Sequence, residues 1–121
     1  MKVGIVGSRS IEICDMERYI PDGAVEIVSG GAVGVDRCAT EYAISHGIKL
    51  TEFLPEYTRY GRWAAPLKRN IQIIEYSDMI IAFWDGKSKG TKYVIDNAKR
   101  MGKPVEVYIL EGTVPRRPLR V

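Results

Sequence analysis

The chain has 121 residues, of which 45% are hydrophobic, and a formal net charge of +3 at pH 7. This length fits one domain with a real core and is too short for two, and no segment is apolar over the length needed to span a membrane. The two cysteines, Cys14 and Cys38, are too few and too unpatterned for a disulfide scaffold or a zinc site. We therefore expect a cytoplasmic protein with reduced thiols.

Five apolar runs predict five β-strands. They cover residues 2–6, 24–28, 49–54, 78–84 and 104–110. The first and fourth runs are almost continuously apolar, which is typical of central strands buried on both faces. The fifth run alternates polar and apolar positions, which favours a strand nearer an edge of the sheet.

Helical periodicity fills the gaps between these strands. A short first helix is predicted over residues 11–20, and further helices over residues 35–46, 67–74 and 91–101. Strands that alternate with helices predict right-handed crossovers. The fold class is therefore α/β, a Rossmann-like doubly wound parallel sheet of about five strands with helices on both faces.

The domain is expected to cover residues 1–110, followed by a basic tail over residues 111–121. Basic residues outnumber acidic ones in the second half of the chain, and the tail is broken by prolines. Two interpretations of the tail stay open. It is either a solvated terminus or an arm that binds nucleic acid or another anion.

Four of the predicted strands end in loops that carry glycines, hydroxyl groups or basic side chains. In sheets of this class the ligand binds beyond the carboxyl ends of the strands. Three of the loops lead into helix N-termini, where free N–H groups and the helix dipole favour anions. Each loop alone is equally typical of a turn, but together they predict a site for a phosphate-bearing ligand. The residues at 86–88 are not a P-loop, because position 81 is Ile where that motif requires glycine.

Arg9 is the most informative side chain at this edge. An exposed arginine is ordinary on a protein surface, but directly after a central strand its guanidinium can hold a phosphate through two hydrogen bonds or stack on a base. Asn70 either belongs to a polar helix face or binds a base, a ribose or a neighbouring loop. Tyr57 and Tyr60, which we predict to lie in a loop, are candidates for base stacking.

The carboxylates of Asp36 and Asp85 also lie in these loops. Asp36 either caps its helix or accepts a hydrogen bond from a ribose hydroxyl, and capping is the commoner role of that residue type. Asp85 has turn formation as its competing role.

The chain resembles the SLOG superfamily in five stretches. These are "VGSR", "SGGAVGVDRCATEYA", "YGRWAAPLKRN", "SDMIIAFWDG" and "GTKYVIDNAKRMGKPV". The superfamily is a Rossmann-like group that contains the DNA-processing Smf/DprA proteins and the LOG phosphoribohydrolases, and the chain is similar to its small stand-alone branch. The resemblance covers residues 2–108. It implies a doubly wound sheet in strand order 3-2-1-4-5 and a nucleotide-type ligand at the carboxyl ends of the strands.

The resemblance and the strand-end loops together give one set of predicted ligand-binding residues. Its members are Gly7, Ser8, Arg9, Ser29, Gly30, Gly31, Gly34, Asp36, Arg69, Asn70, Asp85, Gly86, Gly90 and Thr91.

The chain departs from the LOG pattern at the residue that carries its chemistry. LOG hydrolases have a glutamate three residues after the threonine, whereas this chain has Val94 there, and Asp96 is rotated to another face of the helix. Ser88 also replaces one of the paired glycines. General acid–base catalysis needs a carboxylate within hydrogen-bond reach, so we assign no catalytic residue.

The first hypothesis is therefore a binding module or sensor for a nucleotide-type small molecule, rather than an enzyme. The first alternative is a LOG-like nucleoside-monophosphate phosphoribohydrolase that uses Asp36 or Asp85. The second is single-stranded DNA binding, as in relatives of DNA processing protein A. We expect no cofactor, no metal and no membrane partner. Nucleic acid ranks second as a partner, and self-association stays open by analogy with related families.

Overall fold

A parallel five-stranded sheet forms the centre of the fold. Its strands are β1 (Lys2–Gly7), β2 (Glu26–Ser29), β3 (Lys49–Glu52), β4 (Met79–Trp84) and β5 (Val105–Ile109). The structure is a computed structural model that describes residues 1–110 and the backbone of residues 119–120. The strands are hydrogen-bonded in the order β3-β2-β1-β4-β5, which confirms the predicted order.

A sixth strand extends this sheet at the edge formed by β5. It is β6 (Leu119–Arg120), and it pairs with β5 in the antiparallel direction. We did not predict this strand, because we interpreted residues 111–121 as a tail. The remainder of that tail, residues 111–118 and 121, lies outside the described residues.

Helices cover both faces of the sheet, as predicted. On one face α1 (Val35–Ser45) packs Val35, Ala39 and Ala43 against a core that includes Phe83 of β4. On the other face α2 (Tyr57–Tyr76) and α3 (Lys89–Arg100) cover Ile80 and Ala82 of the same strand. The side chains of β4 thus alternate between two cores, which is why its sequence is apolar throughout. Within the described residues, every helix is too short or too polar to span a lipid bilayer.

The predicted helix over residues 11–20 is wrong. The segment is an irregular connection with one short 3₁₀ turn, Met16–Arg18. Ile11, Ile13 and Met16 are all buried in the same core, and their spacing of two and then three residues does not match one face of an α-helix. The apolar positions therefore anchor an extended path across the sheet rather than a helix.

The helix α2 is interrupted at Gly61. This residue has φ 81° and ψ 177°, a conformation in the positive-φ region that glycine adopts without steric cost. Tyr57 and Tyr60 lie in the single helical turn before this break, and not in a loop as we predicted. The longer part of the helix, after Gly61, packs Ile73 and Ile74 against the sheet.

A buried carboxylate closes the end of the sheet opposite the predicted site. Glu26, at the start of β2, accepts hydrogen bonds from the Tyr76 hydroxyl (2.6 Å) and the Thr51 hydroxyl (2.7 Å). The Nζ of Lys49 lies 3.6 Å from the same carboxylate. The Tyr76 and Thr51 hydrogen bonds, which outweigh burial, and then the Lys49 charge hold the pKa of Glu26 below its usual value.

Glu26→Gln should lower the free energy of unfolding at pH 7 by about 1–2 kcal/mol, because hydrogen bonds to a charged group are stronger than those to a neutral amide. A lowered folded-state pKa stabilises the protein above the pKa of the unfolded chain, about pH 4.3, and that contribution is lost as the pH falls through the folded-state pKa. The gap between wild type and variant in urea denaturation should therefore close in acid. Glu41→Gln, at an exposed position of α1, is the control, and a gap that persists below the folded-state pKa of Glu26 would contradict this account.

Candidate functional site

A cavity of about 450 Å³ opens at the carboxyl ends of β1 and β4. The loops after β1, β2 and β4 form its wall together with α2 and α3, whereas the loop after β3 contributes no lining residue within the described part of the chain. The predicted residues that line it are Gly7, Ser8, Arg9, Asp36, Arg69, Asn70, Asp85, Gly90 and Thr91. The predicted residues that do not line it are Ser29, Gly30, Gly31, Gly34 and Gly86.

Arg9 lines this cavity, and its side chain is available to bind a ligand. The residue is exposed, and no hydrogen bond or ion pair joins its guanidinium to another described residue. It is close enough to Arg69 for the repulsion between the two charges to add to the lowering of the Arg69 pKa, which burial dominates. Two guanidinium groups that face one cavity favour an anionic occupant.

Arg69 has a different role in the same wall, because two of its three guanidinium nitrogens donate hydrogen bonds within the protein. The residue is buried, its Nη1 donates to the carbonyl oxygen of Gly30 (2.6 Å), and its Nε donates to Oδ1 of Asn70 (2.9 Å). It therefore ties the loop after β2 to α2. It also fixes the orientation of the Asn70 amide at the cavity.

Asp36 is the buried carboxylate beside Arg69. Its Oδ2 accepts a hydrogen bond from the amide of Ala32 (3.2 Å). Burial raises the pKa of Asp36, although the Ala32 hydrogen bond and the charge of Arg69 act in the opposite direction. Gly30 lies against both groups, and a Cβ there would fall 2.9 Å from the Asp36 carboxylate and would also collide with the Arg69 guanidinium. The absence of a side chain at Gly30 thus leaves room for the Asp36 and Arg69 side chains.

Asp85 organises the loop after β4. Its Oδ1 accepts hydrogen bonds from the amides of Lys87 (2.8 Å) and Ser88 (2.7 Å), and its own amide donates to the Ser8 hydroxyl (3.2 Å). Burial would raise the pKa of Asp85, but the amides of Ser88 and Lys87 and the Ser8 hydroxyl outweigh it, and the pKa is lowered. Trp84 closes the loop by donating its indole N–H to the carbonyl oxygen of Ser88 (3.0 Å). The turn-forming role is therefore the one that the geometry shows.

Backbone amides complete the cavity wall. Those of Arg9 and Ser10 donate to no described residue, and those of Lys89 and Gly90 belong to the first turn of α3, where the helix offers no acceptor. Ser88 caps this helix by accepting from the Thr91 amide (3.4 Å). A Cβ on Gly90 would meet no atom within 4 Å, so this end of the helix borders open space.

Gly34 lies against the backbone of Arg9, which lines the cavity. It has φ 75°, and a Cβ there would collide with the carbonyl oxygen of Arg9. The glycine is needed because the start of α1 presses against the backbone of the loop that carries Arg9. This contact between two separate loops could not be inferred from the sequence, in which we predicted Gly34 to be a ligand-binding residue.

Several cavity residues were missed by the sequence analysis. They are Val6, Ser10, Ala32, Pro66, Ile73, Ser88 and Val94. Two of them carried a usable signal. Pro66 lies four residues before Asn70 and so on the same side of the helix, and Ser88 stands at the N-cap position where serine is favoured.

The position of the LOG glutamate is apolar in the folded protein. Val94 is buried and lines the cavity, whereas Asp96 is exposed and pairs with Lys92, with 2.8 Å between Oδ2 and Nζ. Asp36 and Asp85 are the carboxylates of the wall. Among the described residues, no group of three His, Cys, Asp or Glu side chains could hold a metal ion.

No protein-family model and no curated protein matches the chain. The chain is similar to a solved structure of DNA processing protein A from Helicobacter pylori, which was described for its single-stranded DNA binding mode. The TM-score is 0.69 at 27% sequence identity, and the match covers 97% of this chain and 66% of that one. The fold is like that of DNA processing protein A. The match therefore extends over almost all of this chain but over only about two thirds of the length of the Helicobacter pylori protein.

Proposed function

We propose that the cavity edge binds single-stranded DNA, with a backbone phosphate held by Arg9. The observation that carries the proposal is the guanidinium of Arg9, which bonds to none of residues 1–110, beside the amides of Arg9 and Ser10, which donate to none of these residues either. Charged and backbone N–H donors of this kind hold phosphates in protein–DNA complexes. The likeness to a single-stranded DNA-binding protein over 97% of this chain supports DNA, although the sequence alone ranked a free nucleotide first.

Trp63 is the side chain that we expect to stack on a base. It is 81% exposed, and the guanidinium of Arg62 lies 5.3 Å from the centre of its ring. Trp63 precedes the cavity residue Asn70 by seven residues of regular helix, so the two lie on the same side about 10 Å apart. A nucleotide next to the bound phosphate would reach this ring, and such stacking tolerates any base.

A free nucleotide is the second candidate. The observation that favours it is the size of the cavity, about 450 Å³, which falls within the range of small-molecule sites. Hydrolysis of its glycosidic bond is not part of the proposal, because Asp85 is committed to its turn and Val94 occupies the place of the LOG glutamate. We also propose that the chain is a member of the SLOG superfamily, because five stretches of its sequence resemble that superfamily.

The proposal is tested by fluorescence anisotropy with a labelled thymidine oligonucleotide. We expect the logarithm of the binding constant to fall linearly with the logarithm of the salt concentration, because bound phosphates release counterions. Thymidine monophosphate should compete only weakly, since it offers one phosphate and no neighbouring base. A salt-independent affinity, or full displacement by equimolar mononucleotide, would contradict DNA binding. The second result would instead favour the free nucleotide.

Trp63→Ala separates the two candidates. It should weaken binding of the oligonucleotide about 5- to 150-fold, since one stacked base is worth about 1–3 kcal/mol, and leave binding of thymidine monophosphate unchanged. Ile44→Ala, which removes an apolar side chain of α1 from a residue that is 71% exposed, is the matched control. An oligonucleotide affinity that is the same in both variants would exclude Trp63 from the DNA-binding surface.

A further inference from the structure

The side-chain amide of Asn70 is held in one orientation by its neighbour in the chain. Nε of Arg69 donates a hydrogen bond to Oδ1 of Asn70 over 2.9 Å, and Arg69 is itself fixed because its Nη1 donates to the carbonyl oxygen of Gly30. Rotating the amide by 180° would turn its Nδ2 donors toward the Nε–H group, which has no lone pair to accept them. Within residues 1–110, Nδ2 of Asn70 bonds to no partner, so two N–H donors remain for a ligand.

Apolar side chains surround this amide at the cavity. Pro66 and Ile73 lie four residues before and three residues after Asn70, which places all three on one side of α2, and all three line the cavity. Val6 and Val94 line it as well and belong to the same core cluster as Ile73. A phosphate placed here would lose water against an apolar surface, whereas the faces of a nucleobase are themselves largely apolar. This part of the cavity therefore suits a base, and the loop after β1 suits its phosphate.

The four bases of DNA differ in what they offer to an N–H donor. Thymine, guanine and cytosine each carry a carbonyl oxygen, whereas adenine carries none. Asparagine usually recognises adenine through both of its amide atoms, with Oδ1 accepting from N6 and Nδ2 donating to N7. At Asn70 the guanidinium of Arg69 already donates to Oδ1, and its charge repels the positively polarised N6 donor. The amide therefore favours a base that presents a carbonyl oxygen.

We propose that Asn70 is a specificity-determining residue, which donates to the carbonyl oxygen of one base of the bound strand. The cavity then prefers thymine, guanine or cytosine to adenine at this position. Arg69 is the positioning residue, because it acts only by orienting the Asn70 amide. This inference rests on the proposed binding of DNA, and it adds that one base is read while the base on Trp63 is only stacked.

Asn70→Asp tests the proposal by competition anisotropy. The variant keeps an acceptor for Nε of Arg69 and replaces the N–H donors by a second oxygen. Unlabelled thymidine and deoxyadenosine strands of equal length compete with the labelled oligonucleotide, and the readout is the ratio of their affinities, in which the general effect of the added charge cancels. The ratio of thymidine to deoxyadenosine should fall about 5- to 150-fold. One hydrogen bond to thymine is lost and one from N6 of adenine is gained, each worth about 2- to 12-fold.

Gln72→Glu is the matched control. It makes the same change from amide to carboxylate on α2, at a residue that does not line the cavity, and should leave the affinity ratio at its wild-type value. A ratio in Asn70→Asp equal to that of the wild type overturns the assignment of Asn70 while leaving DNA binding intact. Circular dichroism melts show that both variants are folded.

Thymidine and deoxyadenosine monophosphates separate this inference from the proposed function. If neither strand binds the wild-type protein, DNA binding is wrong, and the same ratio is then measured with the two monophosphates. A fall of that ratio in Asn70→Asp supports the assignment of Asn70 for a free nucleotide. An unchanged ratio, or no binding of either monophosphate, overturns it.

Discussion

Replacing Arg9 by alanine should weaken the binding of single-stranded DNA about 10- to 100-fold, because a hydrogen bond to a charged group contributes about 1.5–3 kcal/mol. The melting temperature of the free protein should hardly change, since Arg9 is exposed and forms no ion pair in the described structure. The salt dependence of binding should also become shallower by about one unit, as expected for the loss of one phosphate contact. Anisotropy titrations at several salt concentrations measure both effects.

Arg18→Ala is the matched control for this variant. Arg18 is also a partly exposed arginine, but it pairs with Asp15 and does not line the cavity. Both variants lose one positive charge, so a general effect of net charge would weaken DNA binding equally in the two. Equal affinities would mean that Arg9 contributes only to the overall field of the protein, and the proposed phosphate site would then be wrong.

Arg69→Met should destabilise the protein by about 1–3 kcal/mol, because it removes the positive charge that offsets part of the cost of burying the Asp36 carboxylate. The same change removes the hydrogen bond that holds the carbonyl oxygen of Gly30. Urea denaturation at neutral pH measures the loss. The destabilisation should decrease in acid, since a buried Asp36 that has lost its partner is protonated more readily.

The double variant Arg69→Met/Asp36→Asn tells whether the two side chains act as a pair. Asparagine keeps an acceptor for the Ala32 amide and removes the charge, so the double variant should be less destabilised than the sum of the two single variants. Strict additivity would show that Asp36 and Arg69 contribute independently. Their burial in one wall of the cavity would then have another explanation.

The parts of the fold that could be predicted from the sequence are those governed by local patterns. The continuous apolar runs of β1 and β4 indicated central strands, and their alternation with helices indicated a doubly wound sheet. The prediction for the connection around Ile11, Ile13 and Met16 was wrong, because buried apolar residues on an irregular path show no regular spacing. The prediction that Tyr57 and Tyr60 lie in a loop was wrong for a related reason. The single helical turn that contains them is too short to show a helical pattern.

The location of the candidate site could be predicted from the sequence, but the contacts of its individual residues could not. The carboxyl ends of parallel strands meet at one edge, and most of the polar residues predicted there do line one cavity. The sequence gives no sign that Arg69 is buried near Asp36, or that the Arg9 side chain bonds to no other described residue, because both depend on contacts between distant segments. For the same reason Gly30 and Gly34, which resemble phosphate-loop glycines, make room for side-chain and backbone atoms of this chain.

The contact between Gly34 and the backbone of Arg9 has a consequence for how tightly a ligand can be held. The start of α1 blocks any retreat of the Arg9 main chain, while the guanidinium above it can still rotate. When an anion arrives, the chain loses the freedom of one long side chain, worth about 2 kcal/mol, and does not lose the additional entropy of ordering a loop. The loop is thus already in place before any ligand binds, which leaves more of the contact energy to appear as affinity.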